Sequence, residues 1–152
     1  MTQAQKLLKR LDAIGLALAQ TGQGRALIGF GSVGIEVDRL DEYSDLDFFA
    51  IVRPGQKAGF VADPNWMAAA HPIAYFFQNT IDGHKLLFAD GIFAEMAVFE
   101  ESELARIPFA RGRIVWQEAD FDPALAAPPE RAPDPLRTLE WSLGEALTNL
   151  YQ

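Results

Sequence analysis

Hydrophobic positions in the first twenty residues repeat at helical spacing. The apolar positions are Leu7, Leu11, Ile14 and Leu18. Side chains three or four residues apart share one face of a helix, so this spacing predicts an N-terminal amphipathic helix that ends near Thr21-Gly22. A continuous apolar run around 25–30 follows and predicts a buried strand.

Short apolar runs separated by turn residues fill the middle of the chain. A second strand is expected around 45–52, ended by Pro54-Gly55, and a short helix around 65–70. Two Asp-Gly pairs then separate three further runs, which is typical of β-hairpins. These runs cover residues 73–79, 84–89 and 92–99. We therefore expect an antiparallel meander, with one more strand at 113–116.

The pattern changes after the last strand. Residues 121–135 contain five of the nine prolines and predict an extended linker with little core-forming capacity. Asp134 and Pro135 suit the start of a helix that continues over 136–152. Its apolar stripe consists of Leu136, Leu139, Leu143, Leu147 and Leu150. The stripe needs a surface, which leaves three alternatives: this domain, a second subunit in a homodimer, or a further helical domain.

This order of elements predicts an α/β (α+β) fold with a mixed sheet, flanking helices and the antiparallel meander. Residues 1–120 are expected to form one domain, and 49% hydrophobic content suffices for its core. Neither a membrane helix nor a signal peptide is expected. The chain has no cysteine, which suits a cytoplasmic protein.

A pair of aspartates marks the start of the second strand. Asp45 and Asp47 flank Leu46, and alternate side chains of an extended chain share a face, so the two carboxylates project together. Mg²⁺ prefers one or two protein carboxylates, with water and phosphate oxygens in its other positions. The pair therefore indicates a magnesium site; a solvated loop or a calcium site is the alternative for Asp-x-Asp taken alone.

The first strand ends in a glycine and a serine. Gly31 can turn the chain and present backbone N–H groups to an anion, and the Ser32 hydroxyl is a further donor. Twelve residues separate Ser32 from Asp45, and apolar residues flank both pieces. A plain tight turn is the alternative for Gly31-Ser32 alone, whereas the combination favours phosphate bound beside magnesium.

One charged residue, Glu95, interrupts the apolar run 91–99. Its expected face also carries Phe93, Ala97 and Phe99. Burying an ionised carboxylate without partners is unfavourable, so Glu95 is expected either in a paired site or on an exposed edge strand. The apolar neighbours favour the paired site. His71 and His84 are expected on the surface, and Lys85 as a solvated strand lysine that could reach a phosphate.

Phe30-Gly31-Ser32 and Asp45-Leu46-Asp47-Phe48, with their spacer, resemble the signature of the nucleotidyltransferase superfamily, which includes polymerase beta-like and antibiotic nucleotidyltransferases. Residues 42–49 look most like the lincosamide and aminoglycoside branch. There is one departure. Many relatives carry Ala-Arg-Gly after the Gly-Ser, where this chain has Val33-Gly34-Ile35, so the role of that arginine is absent or falls to Arg39.

The resemblance implies a Mg²⁺-dependent enzyme that transfers a nucleoside monophosphate from a nucleoside triphosphate, with ATP the first candidate, to a hydroxyl of a small molecule such as an aminoglycoside or lincosamide. Gly31 and Ser32 would bind the nucleotide, while Asp45 and Asp47 would hold the metal. Glu95 would complete the catalytic residues as general base or shared metal ligand, and a pKa raised by apolar neighbours would suit the base. In that branch a C-terminal helical region helps to bind the acceptor.

Charge narrows the expected partners. The chain has 13 Lys and Arg against 21 Asp and Glu, a net charge of −8, and no basic cluster. Nucleic-acid binding needs such a cluster, so nucleic acid is not expected as a partner, and a cationic small-molecule acceptor is favoured. Two alternatives stay open: a nucleotidyltransferase-like antitoxin or non-catalytic nucleotide-binding domain, and an interaction domain that pairs through its leucine stripe.

Overall fold

The computed structural model describes residues 1–41 and 43–128 of the 152-residue chain. The expected helix over 136–152, its leucine stripe and residues 129–135 of the expected linker lie outside the described residues. The described part has helices and one six-stranded mixed sheet, so the expected α+β fold is confirmed. Among the described helices, none combines the length and the apolar character needed to cross a membrane.

In the described part of the chain, two helices and six strands follow one another in the order αββαββββ. They are α1 (Gln3–Gln20), β1 (Gly24–Gly29), β2 (Leu46–Val52), α2 (Lys57–Ala62), β3 (Ile73–Thr80), β4 (Gly83–Phe88), β5 (Phe93–Glu100) and β6 (Arg113–Gln117). Short 3₁₀ turns lie at Gly31–Val33, Val37–Arg39, Pro64–Ala69, Glu101–Glu103 and Pro123–Ala126. The predicted helix around 65–70 is thus a 3₁₀ turn, and α2 was not predicted.

The N-terminal helix has the predicted length and buried face. The Thr2 hydroxyl accepts a hydrogen bond from the Gln5 backbone N–H, and the Gln5 side chain accepts one from the Thr2 N–H, so the first turn is capped reciprocally. The four predicted apolar positions are all buried against the sheet. The helix ends at Gln20, directly before the predicted Thr21-Gly22 stop.

The strands are ordered β3-β4-β5-β2-β1-β6 across the sheet. Strands β2 and β5 are parallel, whereas every other neighbouring pair is antiparallel. The predicted meander is therefore confirmed as β3-β4-β5, and it joins β1 and β2 through its last strand. The strand predicted at 113–116 is β6, which pairs with β1 at one edge.

The two faces of the sheet are covered to different extents. Helix α1 and the Pro64–Ala69 turn cover most of one face, although Phe76 in β3 stays 40% exposed there. Residues 101–112 and 121–126 cover the other face only over β1, β6 and the C-terminal ends of β2 and β5. The uncovered half of this second face is formed by β3, β4 and the beginnings of β2 and β5, and we call it the open face.

Part of the predicted linker packs into a second hydrophobic core, which lies on the face of the sheet covered by residues 101–112 and 121–126. Phe121 and Ala126 are buried there, so the expectation of an extended linker with little core-forming capacity is wrong for residues 121–128. The Asp122 carboxylate accepts a hydrogen bond from the Ala124 N–H, and Pro123 occupies the first position of the 3₁₀ turn. The prolines in this part therefore shape a packed turn.

Candidate active site

Two carboxylates from distant parts of the sequence meet at the centre of the sheet. Asp47 in β2 is the direct register partner of Glu95 in the parallel strand β5. Asp45 lies just before β2 and is exposed like Asp47, whereas Leu46 and Phe48 are buried on the other face. The predicted alternation of Asp45 and Asp47 is thus confirmed, and both lie on the same side of the sheet as Glu95.

The turn after β1 lies beside these carboxylates. The Phe30 N–H donates to the Asp47 carbonyl oxygen at 2.8 Å, which joins the end of β1 to the beginning of β2. Gly31 then adopts φ 59°, a left-handed conformation that favours glycine, and begins the 3₁₀ turn that includes Ser32. No atom of another residue lies within 4 Å of the position that a Gly31 Cβ would take, so its surroundings are open.

Gly34 explains the departure from the motif of the antibiotic enzymes. A Cβ at this position would lie 2.6 Å from the Gly29 carbonyl oxygen, so the turn has no room for an arginine there. Arg39 is exposed and lies 3.4 Å from the Glu36 carboxylate. The guanidinium that does contact the turn belongs to Arg113 in β6, whose Nη2 donates to the Val33 carbonyl oxygen at 2.9 Å.

A cleft of about 750 Å³ lies over these residues. It is lined by Phe30, Gly31, Ser32, Asp45, Leu46, Asp47, Tyr75, Phe77, Lys85, Leu86, Phe93, Ala94 and Glu95. All five predicted site residues, the glycine, the serine and the three carboxylates, are therefore brought together around one cavity.

The charged groups that line the cleft are three carboxylates, those of Asp45, Asp47 and Glu95, and the ammonium of Lys85. Desolvation by burial raises the pKa of the Asp45 carboxyl, and the negative charge of Glu95 raises it further, while Lys85 opposes both effects. Within the described residues, no three His, Asp or Glu side chains are gathered closely enough to hold a metal ion alone. Asp45 and Asp47 nevertheless suit Mg²⁺, which needs only one or two carboxylates when substrate phosphate and water supply the other oxygens.

Glu95 is less enclosed than its sequence neighbours suggest. Ala97 and Phe99 pack in the second core, but Phe93 and Glu95 are exposed on the open face, so the expected enclosure of Glu95 by apolar neighbours is wrong. The edge-strand alternative is also wrong, because β5 lies between β4 and β2. The Asn79 amide donates to Glu95 Oε1 at 3.0 Å and orients the carboxylate.

The two histidines and the lysine of the meander have different surroundings. His84 is buried, which contradicts the predicted surface position, because it shares the covered face of β4 with Leu86. His71 is partly exposed, with Nε2 3.8 Å from an oxygen of Asp90. Lys85 points to the cleft and is the register partner of Glu95.

Several residues of the cleft were not singled out in the sequence. They are Tyr75 and Phe77 in the lining, Asn79 beside Glu95, and Arg113 behind the turn. The alternation within β3 already places Tyr75, Phe77 and Asn79 on one face. The local pattern does not show that this face of β3 lies on the same side of the sheet as Glu95.

No family model matches the chain, and no curated protein is significantly similar to it. The function of the cleft therefore has to be inferred from the residues that line it.

Proposed function

We propose that the protein is a Mg²⁺-dependent nucleotidyltransferase that moves a nucleoside monophosphate from a nucleoside triphosphate, ATP being the first candidate, to a hydroxyl of a small molecule. The observation that carries this proposal is the direct pairing of Asp47 with Glu95, beside Asp45 and the Gly31-Ser32 turn. Phosphoryl-transfer chemistry depends mainly on positioning and on charge stabilisation, and the cleft offers groups for both.

The turn after β1 suits the leaving side of the nucleotide. The backbone around Gly31 can be approached closely because the space beside its Cα is open, and the Ser32 hydroxyl adds a donor. Hydrogen bonds from N–H and O–H groups to phosphate oxygens would hold the β and γ phosphates here. The α phosphate would then lie toward the neighbouring strand β2, near Asp45 and Asp47.

The carboxylates divide the remaining tasks. Asp45 and Asp47 would hold Mg²⁺, which when bound would offset negative charge on the attacking and leaving oxygens. Glu95 would accept the proton of the acceptor hydroxyl. The hydroxyl oxygen forms the new bond to the α phosphorus, and the bond between that phosphorus and pyrophosphate breaks, so the products are a nucleotidyl ester, pyrophosphate and a proton on Glu95.

The test measures two products of the same reaction. The protein is incubated with Mg²⁺, the four nucleoside triphosphates and a panel of aminoglycosides and lincosamides. Mass spectrometry detects the nucleotidyl adduct, and an enzymatic assay detects pyrophosphate, including that released when water is the acceptor. Asp12→Asn is a matched control, because Asp12 is an exposed aspartate on α1 outside the cleft.

The outcomes separate this proposal from its alternatives. Pyrophosphate release that needs Mg²⁺ supports the enzyme. Binding of Mg²⁺-ATP without pyrophosphate or adduct would instead identify a non-catalytic nucleotide-binding or antitoxin-like protein. Absence of nucleotide binding would overturn both the enzyme and the nucleotide-binding protein. The remaining alternative would then be an interaction domain. We place the enzyme in the cytoplasm, where nucleoside triphosphates and Mg²⁺ are plentiful and a chain without cysteine is at no disadvantage.

A further inference from the structure

The open face continues beyond the carboxylates onto β4 and β3. Register pairs align Asp47, Glu95, Lys85 and Phe77 in one row across β2, β5, β4 and β3. The next row contains Phe93, Leu87 and Tyr75. Neighbouring strands lie about 4.8 Å apart, so the backbones of Phe77 and Glu95 are about 10 Å apart. The carboxylates thus occupy one end of the face and aromatic rings the other.

These aromatic rings are unusually accessible. Tyr75, Phe77 and Phe93 are 60%, 45% and 57% exposed, and all three line the cleft. The rings of Tyr75 and Phe77 lie 5.8 Å apart between centroids. Strand β3 has no charged residue. A cluster of exposed aromatic side chains within a cleft is a binding surface more often than an accident of packing.

The direction of the proposed reaction determines which substrate reaches these rings. In-line displacement puts the attacking oxygen and the leaving pyrophosphate on opposite sides of the α phosphorus. The Gly31-Ser32 turn, where pyrophosphate would leave, lies on the β1 side of Asp47, whereas Glu95 lies on the β5 side. The acceptor therefore approaches from β5, and its body extends over β4 toward Tyr75 and Phe77.

We propose that Tyr75, Phe77 and Phe93 form the acceptor subsite and that the acceptor is an aromatic alcohol or phenol whose ring system stacks on them. This inference rests on the proposed nucleotidyl transfer. Planar rings stack on aromatic side chains with offset or edge-to-face geometry, which suits the tilted pair of Tyr75 and Phe77. The hydroxyl and the stacked ring would be separated by up to about 10 Å, the two strand spacings between the backbones of Glu95 and Phe77.

Lys85 limits the charge that this acceptor can carry. It lies in the row between Glu95 and Phe77, so the body of the acceptor passes over its ammonium group. The net charge of −8 attracts cations at long range, but a polycationic amino sugar would meet Lys85 at close range. An uncharged or anionic ring system meets no such repulsion and is the better fit.

Stacking of the nucleobase on the same rings is the competing interpretation. It would require the nucleoside to lie along the path of the attacking oxygen, between Glu95 and Phe77. The in-line geometry instead leaves that path to the acceptor, and the nucleoside branches from the α phosphorus in another direction. The two interpretations differ in which substrate responds when a ring is removed.

The experiment uses 4-biphenylmethanol as the aromatic acceptor and an aminoglycoside as the cationic one. Binding of each is measured by calorimetry without nucleotide for wild type, Tyr75→Ala and Phe77→Ala. Phe76→Ala is the matched control, because Phe76 is exposed on the same strand but lies outside the cleft lining. Phe77→Leu keeps apolar volume without a ring and replaces Phe77→Ala if that variant is poorly folded. Turnover is then measured with Mg²⁺ and nucleoside triphosphate.

We expect both ring variants to raise the Kd and KM for 4-biphenylmethanol about tenfold or more, with Phe76→Ala unchanged. Pyrophosphate release with water as acceptor should be unchanged in Phe76→Ala, because Phe76 lies outside the cleft lining. Equal binding of 4-biphenylmethanol to wild type and variants, or preferred turnover of the aminoglycoside, would overturn the inference. A rise in the KM for the nucleotide alone would assign the rings to the nucleobase. If wild type releases no pyrophosphate, the proposed function fails, whereas the calorimetric comparison still decides whether the rings bind an aromatic ligand.

Discussion

Asp47 and Glu95 face each other across the one parallel pair of strands in the described sheet. This pairing puts the backbone of the last residue of the Asp-x-Asp motif one strand spacing, about 4.8 Å, from the backbone of Glu95 in the meander. Asn79 holds Glu95 from β3 through a hydrogen bond of 3.0 Å. In the proposed reaction, Asp47 would hold the metal and Glu95 would accept the proton on the two sides of one phosphorus atom.

Neutral substitutions of this pair should abolish the reaction. Asp47→Asn and Glu95→Gln keep the size of each side chain but remove its charge, so we expect pyrophosphate release to fall at least 100-fold in each variant, as is typical when a general base or metal ligand is lost. Stability should change little because both side chains are exposed. Steady-state kinetics and thermal melting check this, with Asp12→Asn as the control. Turnover in Asp47→Asn comparable to wild type would refute the assignment.

Gly31 should be required for both conformation and nucleotide binding. Its φ of 59° is unfavourable for alanine by about 1–2 kcal/mol, so Gly31→Ala should lower the free energy of unfolding by that amount and raise the KM for the nucleotide. Gly59→Ala is a control for which we expect a change in the free energy of unfolding of the opposite sign. Gly59 lies in α2 with open space around it, so alanine should stabilise the helix by about 0.5–1 kcal/mol. Urea titration measures both changes.

Arg113 should act as a positioning residue for the turn after β1. Its Nη2 donates to the Val33 carbonyl oxygen, so Arg113→Met removes a hydrogen bond that holds the Gly31–Val33 turn. We expect a loss of about 1 kcal/mol in stability. Because a loosened turn binds phosphate less well, the KM for the nucleotide should rise several-fold, by about 3–10 times, while kcat changes less. The exposed Arg111 provides the control variant Arg111→Met.

If Arg113→Met and Arg111→Met change kcat and KM equally, the effect comes from the total charge of the protein and not from the contact with Val33. Raising the salt concentration gives a second check. A general charge effect weakens with screening, whereas the loss of one part-buried hydrogen bond depends less on salt.

Local patterns were sufficient for most of the elements and for the direction of the key carboxylates. The 3.6-residue period of Leu7, Leu11 and Ile14 specifies the buried face of α1, and the two-residue period at Asp45 and Asp47 places both on one face of β2. The Asp-Gly turns specify the meander. Each of these features depends on residues that are close in sequence.

Features that depend on pairing between distant segments could not be read in the same way. The register of β2 with β5 decides that Asp47 meets Glu95, and no short-range signal contains it. Phe121 lies at the start of a proline-rich stretch that resembles a linker, yet its side chain is buried in the second core. His84 follows a turn and was expected outside, but the alternation of β4 turns it to the covered face.

The cluster around Arg25 should be separable from catalysis. Its guanidinium, only 11% exposed, donates to Glu101, Glu118 and Asp120 and joins β1 to segments after β5 and β6. Arg25→Met removes the guanidinium from Glu101 and Asp120, whereas Glu118 keeps its ion pair with Arg53. Because Glu101 is partly exposed and Asp120 is largely exposed, the expected loss in the free energy of unfolding is about 2–3 kcal/mol, at the lower end for a broken buried ion pair. Urea titration measures it. Pyrophosphate release per folded molecule should not change, and a selective loss of activity would contradict the separation.

His84 should make the protein sensitive to mild acid. It is 3% exposed, and burial lowers the pKa of its imidazole below the ordinary value near 6.5, so the folded state favours the neutral form. Its contribution to stability is complete above the unfolded pKa, and it is lost as the pH falls from about 6.5 through the lowered folded pKa. His84→Leu removes this titration. Urea midpoints measured between pH 5 and 7.5 should therefore fall more steeply with acid in wild type than in His84→Leu. Parallel curves for wild type and His84→Leu would show that another group titrates.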